Sequence, residues 1–192
     1  AHPAMLQGEL RAQLVAAGAR LAAAGLVRES EGNISARLDE ARCLVTATGA
    51  ANAQLRNAEL IEIHLDSNEI PERATSEVGL HAGVYRRRPD VNAIVHAHPP
   101  AVLRLAALNR LPDRRTLEDG EEAFGRVVEV PHFREGSVEL AEAVAEALAD
   151  APACVLSLHG AVTVGVSIGL ALRRMLYLER AAARTLSAST DV

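Results

Sequence analysis

The chain has no tryptophan and only two phenylalanines and two tyrosines, so aromatic residues make up 2% of its 192 positions. Its core must therefore be closed by Ala, Val, Leu and Ile, not by rings. The same shortage removes the stacking surface on which single-stranded nucleic acid is held, and 20 Lys and Arg against 25 Asp and Glu leave a net charge of -5. Nucleic acid is thus excluded as an expected partner. Cysteine is equally scarce. Cys43 and Cys154 lie in "CLVT" and "CVLSL", where each reads as a small buried thiol and not as half of a disulfide. No uncharged apolar run approaches a bilayer span, because Glu9, Arg11 and Arg20 break up the Ala-rich start. The expectation is a soluble, cytoplasmic protein without a membrane partner.

What the chain does have is 49% apolar residues, enough for one domain over residues 1–192 to bury a core without staples. Leu6, Leu10, Leu14 and Leu21 recur at near-helical spacing, predicting a first helix over about residues 6–24. "ISARL" and "CLVTAT" read as a hairpin, and residues 59–65 as a further strand. "TSEVGLHAGVYRRRP" reads as a helix capped by Ser or Thr, with Glu77 in its first turn, ending before Pro89. "NAIVHAH" is a strand, "PPAVLRLAAL" a helix with proline in its first turn, and residues 109–125 a long polar connection or mobile segment. The strand "RVVEVP", the helix "SVELAEAVAEAL", the strands "ACVLSLHG" and "AVTVGV", and a helix over 168–186 complete the pass. Strands and helices interleave, so the class is α/β, and the hairpins make the sheet at least partly antiparallel.

Three histidines stand out. In a strand, residues two apart share a face and lie about 6.6 Å apart, so His96 and His98 can aim at a common point, with Ala97 turned away and Pro99 and Pro100 ending the strand so that both rings stand at a solvent-facing rim. A metal or two hydrogen-bonded structural histidines would each explain that pair. His159, at the end of "ACVLSLH" and followed by Gly160, is a third candidate ligand, and three imidazoles would leave an open position of the kind found in catalytic zinc sites. His2, His64, His81 and His132 lack comparable context, although His81 lies one helical turn after Glu77.

Three short stretches are suited to an anion: "EGNIS" with Gly32 and Asn33, "TATGA" with Thr48 and Gly49, and "ATSE" with Thr75 and Ser76. Each offers a hydroxyl, an amide or an unhindered N–H, although each alone is equally well a turn or a cap. Glu77 by itself reads as an acid that stabilises a helix dipole.

The order "GNIS", "VTATG", "TSE" before a helix, "VHAHP" and "LHGA" resembles the class II aldolase/adducin family over about residues 10–185. The resemblance implies a three-layer α/β/α domain around a largely antiparallel sheet, and a homotetramer with active sites between subunits. It places zinc, or another divalent ion, on His96, His98 and His159. It makes Glu77 the catalytic acid/base and occasional fourth ligand, and gathers Gly32, Asn33, Thr48, Gly49, Thr75 and Ser76 into a cradle for a phosphorylated sugar substrate. Glu at position 77, where epimerases of the superfamily carry Asp, points to the aldolase branch. The implied reaction is cleavage of a ketose 1-phosphate to dihydroxyacetone phosphate and an aldehyde through a metal-stabilised enediolate. An epimerase, dehydratase or decarboxylase of the same superfamily, or a non-catalytic adducin-like binding protein, is the alternative. One departure matters: aldolases of this family supply a tyrosine to the aldehyde-side oxygen from the loop that follows the "HxH" strand and its helix. Here that segment offers Arg114, Arg115, Glu118 and Glu121, while Tyr85 and Tyr177 lie in predicted helices.

Overall fold

The computed structural model describes residues 7–119 and 124–188. Helix α1 (Gln7–Ala23) buries Leu10, Leu14, Ala17 and Leu21 along one stripe, the helical repeat of the sequence made physical. Strands β1 (Asn33–Arg37), β2 (Arg42–Thr46) and β3 (Leu60–His64) follow, then helix α2 (Val78–Arg87), strand β4 (Ala93–Ala97) and helix α3 (Pro100–Ala107). The second half comprises β5 (Val127–Val130), α4 (Val138–Ala147), β6 (Ala153–Leu156), β7 (Gly160–Gly165) and α5 (Ile168–Ser187). All seven strands form one sheet in the order β3-β2-β1-β4-β7-β6-β5. Every neighbouring pair is antiparallel except β5 with β6. Among the described residues no helix is long and apolar enough to cross a membrane.

Strand alternation sorts the core into two clusters. Ala93, Val95 and Ala97 of β4 join Leu14 and Leu21 of α1, Leu105 of α3, and Met175 and Leu178 of α5. Ile94, one position out of phase, joins Val84 and Tyr85 of α2 with Leu140 and Val144 of α4. β4 is therefore buried on both faces, and His96, in phase with Ile94, is carried inside. The two largest fully buried side chains are Tyr85 and Phe124, so the scarce rings are spent on the interior.

Register brings the candidate residues to one end of the sheet. Asn33 at the start of β1 pairs with His96 near the end of β4, and Leu156 pairs with Gly160 across the β6–β7 turn. The sequence expectations need correcting at three places. The strand predicted to carry His159 stops at Leu156, so His159 sits in the turn, beside Leu158 at a φ of 60°. Helix α2 starts at Val78, which makes Glu77 its N-cap position, without a side-chain cap bond, and not a first-turn acid. Residues 109–125 are not a featureless connection. A 3-10 turn over Arg114–Thr116 is pinned to α5, where Asp113 N donates to Thr185 Oγ1 at 3.1 Å and Arg184 Nη1 donates to Thr116 O at 2.8 Å. Leu117 and Phe124 are buried beneath it, and Glu121 lies outside the described residues.

Gly160 is where β7 passes closest to β4. A methyl group there would run into the Ala97 carbonyl oxygen and stand 2.9 Å from His98 Cδ2. Gly160→Ala should therefore cost about 1–3 kcal/mol through overpacking, read as a fall of several degrees in the thermal melt. An unchanged melting temperature would show that the strands can separate at this point.

Candidate active site

Strand β4 holds His96 fully buried, and its Nδ1–H donates to the Ala161 carbonyl of β7 at 3.0 Å. That bond fixes a hydrogen on Nδ1, so Nε2 is bare in the neutral ring and carries a hydrogen in the charged one. Nε2 lies 3.2 Å from His159 Nε2 and 3.1 Å from Glu77 Oε2. His98, just past the end of β4, and His159 complete a triangle of rings with centroids 5.1, 4.8 and 5.3 Å apart, each pair edge to face. One ligand-capable nitrogen from each of the three lies within 4.8 Å of the others. His96 is thus inside the fold, and not at a solvent-facing rim as the prolines after the strand suggested.

Two atoms here lack what burial demands. Glu77 Oε1 and His98 Nε2 are buried with no hydrogen-bond partner, a condition that costs about 1–3 kcal/mol per group. Three imidazole nitrogens converging beside an unpartnered carboxylate oxygen are a donor set that fits a borderline divalent cation such as zinc. Protonation favours the same fit at two of the three histidines. Burial pushes the His159 imidazolium down to about 4, helped by the charge of His96, and burial followed by His96 lowers His98 as well. Burial opposes charge on His96 too, but the adjacent Glu77 carboxylate outweighs it and raises that group. For Glu77, burial is likewise outweighed, by the His96 charge, by hydrogen bonds from His96 and Asn33, and by His159, so its carboxyl is held below the ordinary carboxylate range.

The three turns selected as anion sites meet in one pocket of about 500 Å³, lined by Gly32, Asn33, Thr48, Gly49, Thr75 and Ser76 together with Glu77 and His98. Gly32 takes a φ of 70° and lies so close to β4 that a Cβ would stand 2.5 Å from the His96 carbonyl oxygen. The second and third turns are laced together, Thr48 N donating to Arg73 O and Thr75 N to Thr46 O. Thr75 Oγ1 in turn accepts the Glu77 N–H at 3.3 Å, orienting the entry to α2. Asn33 divides its side chain: Nδ2 donates to Glu77 Oε2 at 2.8 Å, which leaves one amide hydrogen for a ligand. No Lys or Arg lines this pocket, whereas Glu31, Glu77 and Glu135 do.

Glu135 is the residue that sequence reasoning missed. One of its carboxylate oxygens lies within 4.8 Å of the ligand atoms of Glu77 and His159. The parallel β5–β6 pairing puts the loop after β5 at the same sheet end as the β6–β7 turn, and no local pattern in "HFREGS" announces that. His81 was passed over as well, although its four-residue spacing from Glu77 was the available signal. It is fully buried and hydrogen-bonded to Asn33 and Ser35. His64 and His132 are exposed, and His2 lies outside the described residues. Of the two tyrosines, Tyr85 is buried against Ser35 and Tyr177 lies under Arg180 on α5, so neither lines the pocket. Within one chain Arg114, Arg115 and Glu118 do not line it either.

A family model described as the class II aldolase and adducin N-terminal domain matches residues 12–186. An L-fuculose phosphate aldolase of Methanocaldococcus jannaschii is 32% identical over 157 residues, covering 82% of this chain and 84% of the relative. A 3-oxo-tetronate 4-phosphate decarboxylase of Pectobacterium atrosepticum is 30% identical over 177 residues, covering 90% and 81% respectively. The crystal structure of L-fuculose-1-phosphate aldolase from Thermus thermophilus superposes with a TM-score of 0.86 at 31% identity, covering 96% of this chain and 97% of that one.

If the triangle is a metal centre, purified protein should hold about one divalent ion per chain, since three protein ligands leave no redundancy. His159→Ala should lose most of that ion while keeping its helical content. Elemental analysis showing equal metal in both proteins would remove His159 from the ligand set.

Proposed function

This chain belongs to the class II aldolase and adducin N-terminal domain family, and on that footing we propose that it is a zinc-dependent lyase cleaving a ketose 1-phosphate to dihydroxyacetone phosphate and an aldehyde. The observation that carries the reading is Glu77 Oε1, a buried carboxylate oxygen without a hydrogen-bond partner, set between three converging imidazoles and a pocket of hydroxyl and backbone donors. His96, His98 and His159 would hold a divalent ion, which would supply the Lewis acidity that polarises a substrate carbonyl for carbon–carbon cleavage. The hydroxyls of Thr48, Thr75 and Ser76 and the chain at Gly32 and Gly49 anchor the phosphate away from the reacting carbons. Asn33 holds Glu77 Oε2, so Oε1 is the atom that moves a proton on or off the dihydroxyacetone carbon. Glu135 is the carboxylate placed to take the hydroxyl proton on the aldehyde side, the role for which the chain has no tyrosine in the pocket.

In this reading the two apolar clusters flanking the sheet make a three-layer α/β/α body, and four such bodies form the working enzyme. In that tetramer, residues 113–119 reach a neighbouring subunit. The compartment is the cytoplasm, in keeping with two buried cysteines that remain free. One observation favours a second reaction at the same centre. Carbon dioxide leaves without needing a proton removed, so a pocket that no tyrosine lines also suits decarboxylation of a phosphorylated 3-oxo acid, the chemistry named for the Pectobacterium atrosepticum relative.

A panel of ketose 1-phosphates assayed for dihydroxyacetone phosphate, run beside a 3-oxo acid phosphate assayed for carbon dioxide, separates the two. Release of carbon dioxide alone would retire the aldolase reading. Glu77→Gln should keep its metal and lose about 10²–10⁴-fold in turnover, with little change in substrate affinity; near-normal turnover would return Glu77 to a structural role. Phosphoglycolate should compete with substrate, and Ser76→Ala should weaken that inhibition. Indifference to phosphoglycolate would remove the phosphate cradle.

A further inference from the structure

Behind Glu77 lies a group of buried polar side chains that the proposed reaction does not use. Asn33 Oδ1 lies 2.5 Å from His81 Nε2, His81 Nδ1 lies 2.6 Å from Ser35 Oγ, and Ser35 Oγ lies 2.8 Å from the Tyr85 hydroxyl. Asn33, Ser35, His81 and Tyr85 are each at most 4% exposed, so they must satisfy one another more than solvent does. β1 supplies Asn33 and Ser35 on one face, two residues apart, and α2 supplies His81 and Tyr85 one helical turn apart, following Glu77 by one turn as well.

Only one direction of donation satisfies the whole chain. With the Asn33 amide nitrogen on Glu77, its oxygen faces His81, so His81 Nε2 must carry the hydrogen. A neutral imidazole then has a bare Nδ1, which accepts the Ser35 hydroxyl, and the Ser35 oxygen accepts from Tyr85. In the reverse direction the Asn33 carbonyl would face the Glu77 carboxylate, acceptor against acceptor, and the chain would end on a buried Tyr85 hydroxyl hydrogen with no acceptor among the described residues. Burial pushes the His81 imidazolium down to about 3, followed by the charge of His96, which agrees with a neutral ring.

We propose that His81 is a positioning residue for Glu77: the one-way chain Tyr85, Ser35, His81, Asn33 locks the Asn33 amide so that it holds Oε2 and leaves Oε1 as the atom that exchanges a proton. The catalytic consequence rests on the proposed role of Glu77, while the locked amide does not. Two variants separate the parts. His81→Gln keeps an N–H donor close to Nε2, and His81→Leu removes it.

The test uses the full-length protein with zinc. Nitrogen-15 NMR should show His81 as the neutral Nε2–H tautomer, and the Asn33 side-chain hydrogens should exchange slowly with solvent in the parent and in His81→Gln but rapidly in His81→Leu. A protonated or Nδ1–H ring, or an Asn33 amide equally protected in both variants, overturns the proposal whatever the enzyme does. If His81→Leu fails to fold, the tautomer in the parent and the loss of Ser35 hydroxyl protection in Tyr85→Phe decide it alone. Exchange of the dihydroxyacetone phosphate carbon-bound proton with deuterated water should fall about 10–100-fold in His81→Leu, the usual cost of losing an outer-shell partner, and recover most of that in His81→Gln. Equal rates in the parent and His81→Leu would overturn positioning. A parent protein that never exchanges the proton, with the NMR pattern intact, would instead sink the role given to Glu77 and leave the locked amide standing.

Discussion

The pairing of β1 with β4, which sets Asn33 opposite His96, is the constraint on which the site depends. Because side chains alternate at every residue, a slip of one position would turn His96 toward the α1, α3 and α5 cluster and leave its nitrogen facing Leu and Met. In the observed register the histidine meets Glu77, and the asparagine that steadies Glu77 arrives from the neighbouring strand. The glycine preceding Asn33 exists for the same contact, since it lets the incoming chain pass over the His96 carbonyl. One strand pair thus brings a candidate ligand, the partner of the candidate base and the first wall of the pocket into a single place.

The pocket's charge is organised against intuition. A phosphate site is expected to show arginine or lysine, yet among the described residues the lining carries three carboxylates and neither of those two. An anion entering there meets hydroxyls and backbone N–H groups, which favour it modestly, and Glu31, Glu77 and Glu135, which do not. A divalent cation at the histidines would offset most of that negative charge, so occupancy of the candidate metal site and capture of an anion would be coupled through the field they share. Such coupling would make a bound ion part of recognition as much as of chemistry.

How much of this was legible in the sequence followed from how local each cause was. The helix stripe of Leu10, Leu14 and Leu21, the proline-started α3 and the pair His96 and His98 are written in short spacings, and the structure has them with ends shifted by a residue or two. The sheet is mostly antiparallel, more than the hairpins alone implied and as the family resemblance implied, but its single parallel pair could not be read, because β5 and β6 are joined through a helix and differ in no local pattern from their neighbours. That pair is what brings Glu135 beside Glu77, so the missed residue and the missed pairing have one cause. Residues 109–125 looked unstructured for a related reason: their anchors, Thr185 and Arg184, lie about seventy positions downstream on α5. Read alone, Glu77 looks like no more than a dipole-stabilising acid, because its burial depends on Asn33, His96 and His159, none of them near it in the chain.

Both cysteines are interior, Cys43 on β2 and Cys154 on β6, and burial pushes each thiol up to about 12. A thiol that stays protonated and shielded reacts with neither oxidants nor alkylating probes on the time scale of an exposed one. The natural molecule is consequently blank to thiol-directed labels in its folded state. A single cysteine introduced on the exposed loop around Glu135 would carry a fluorophore or spin label without background, turning the mouth of the pocket into an optical or magnetic reporter of what enters it.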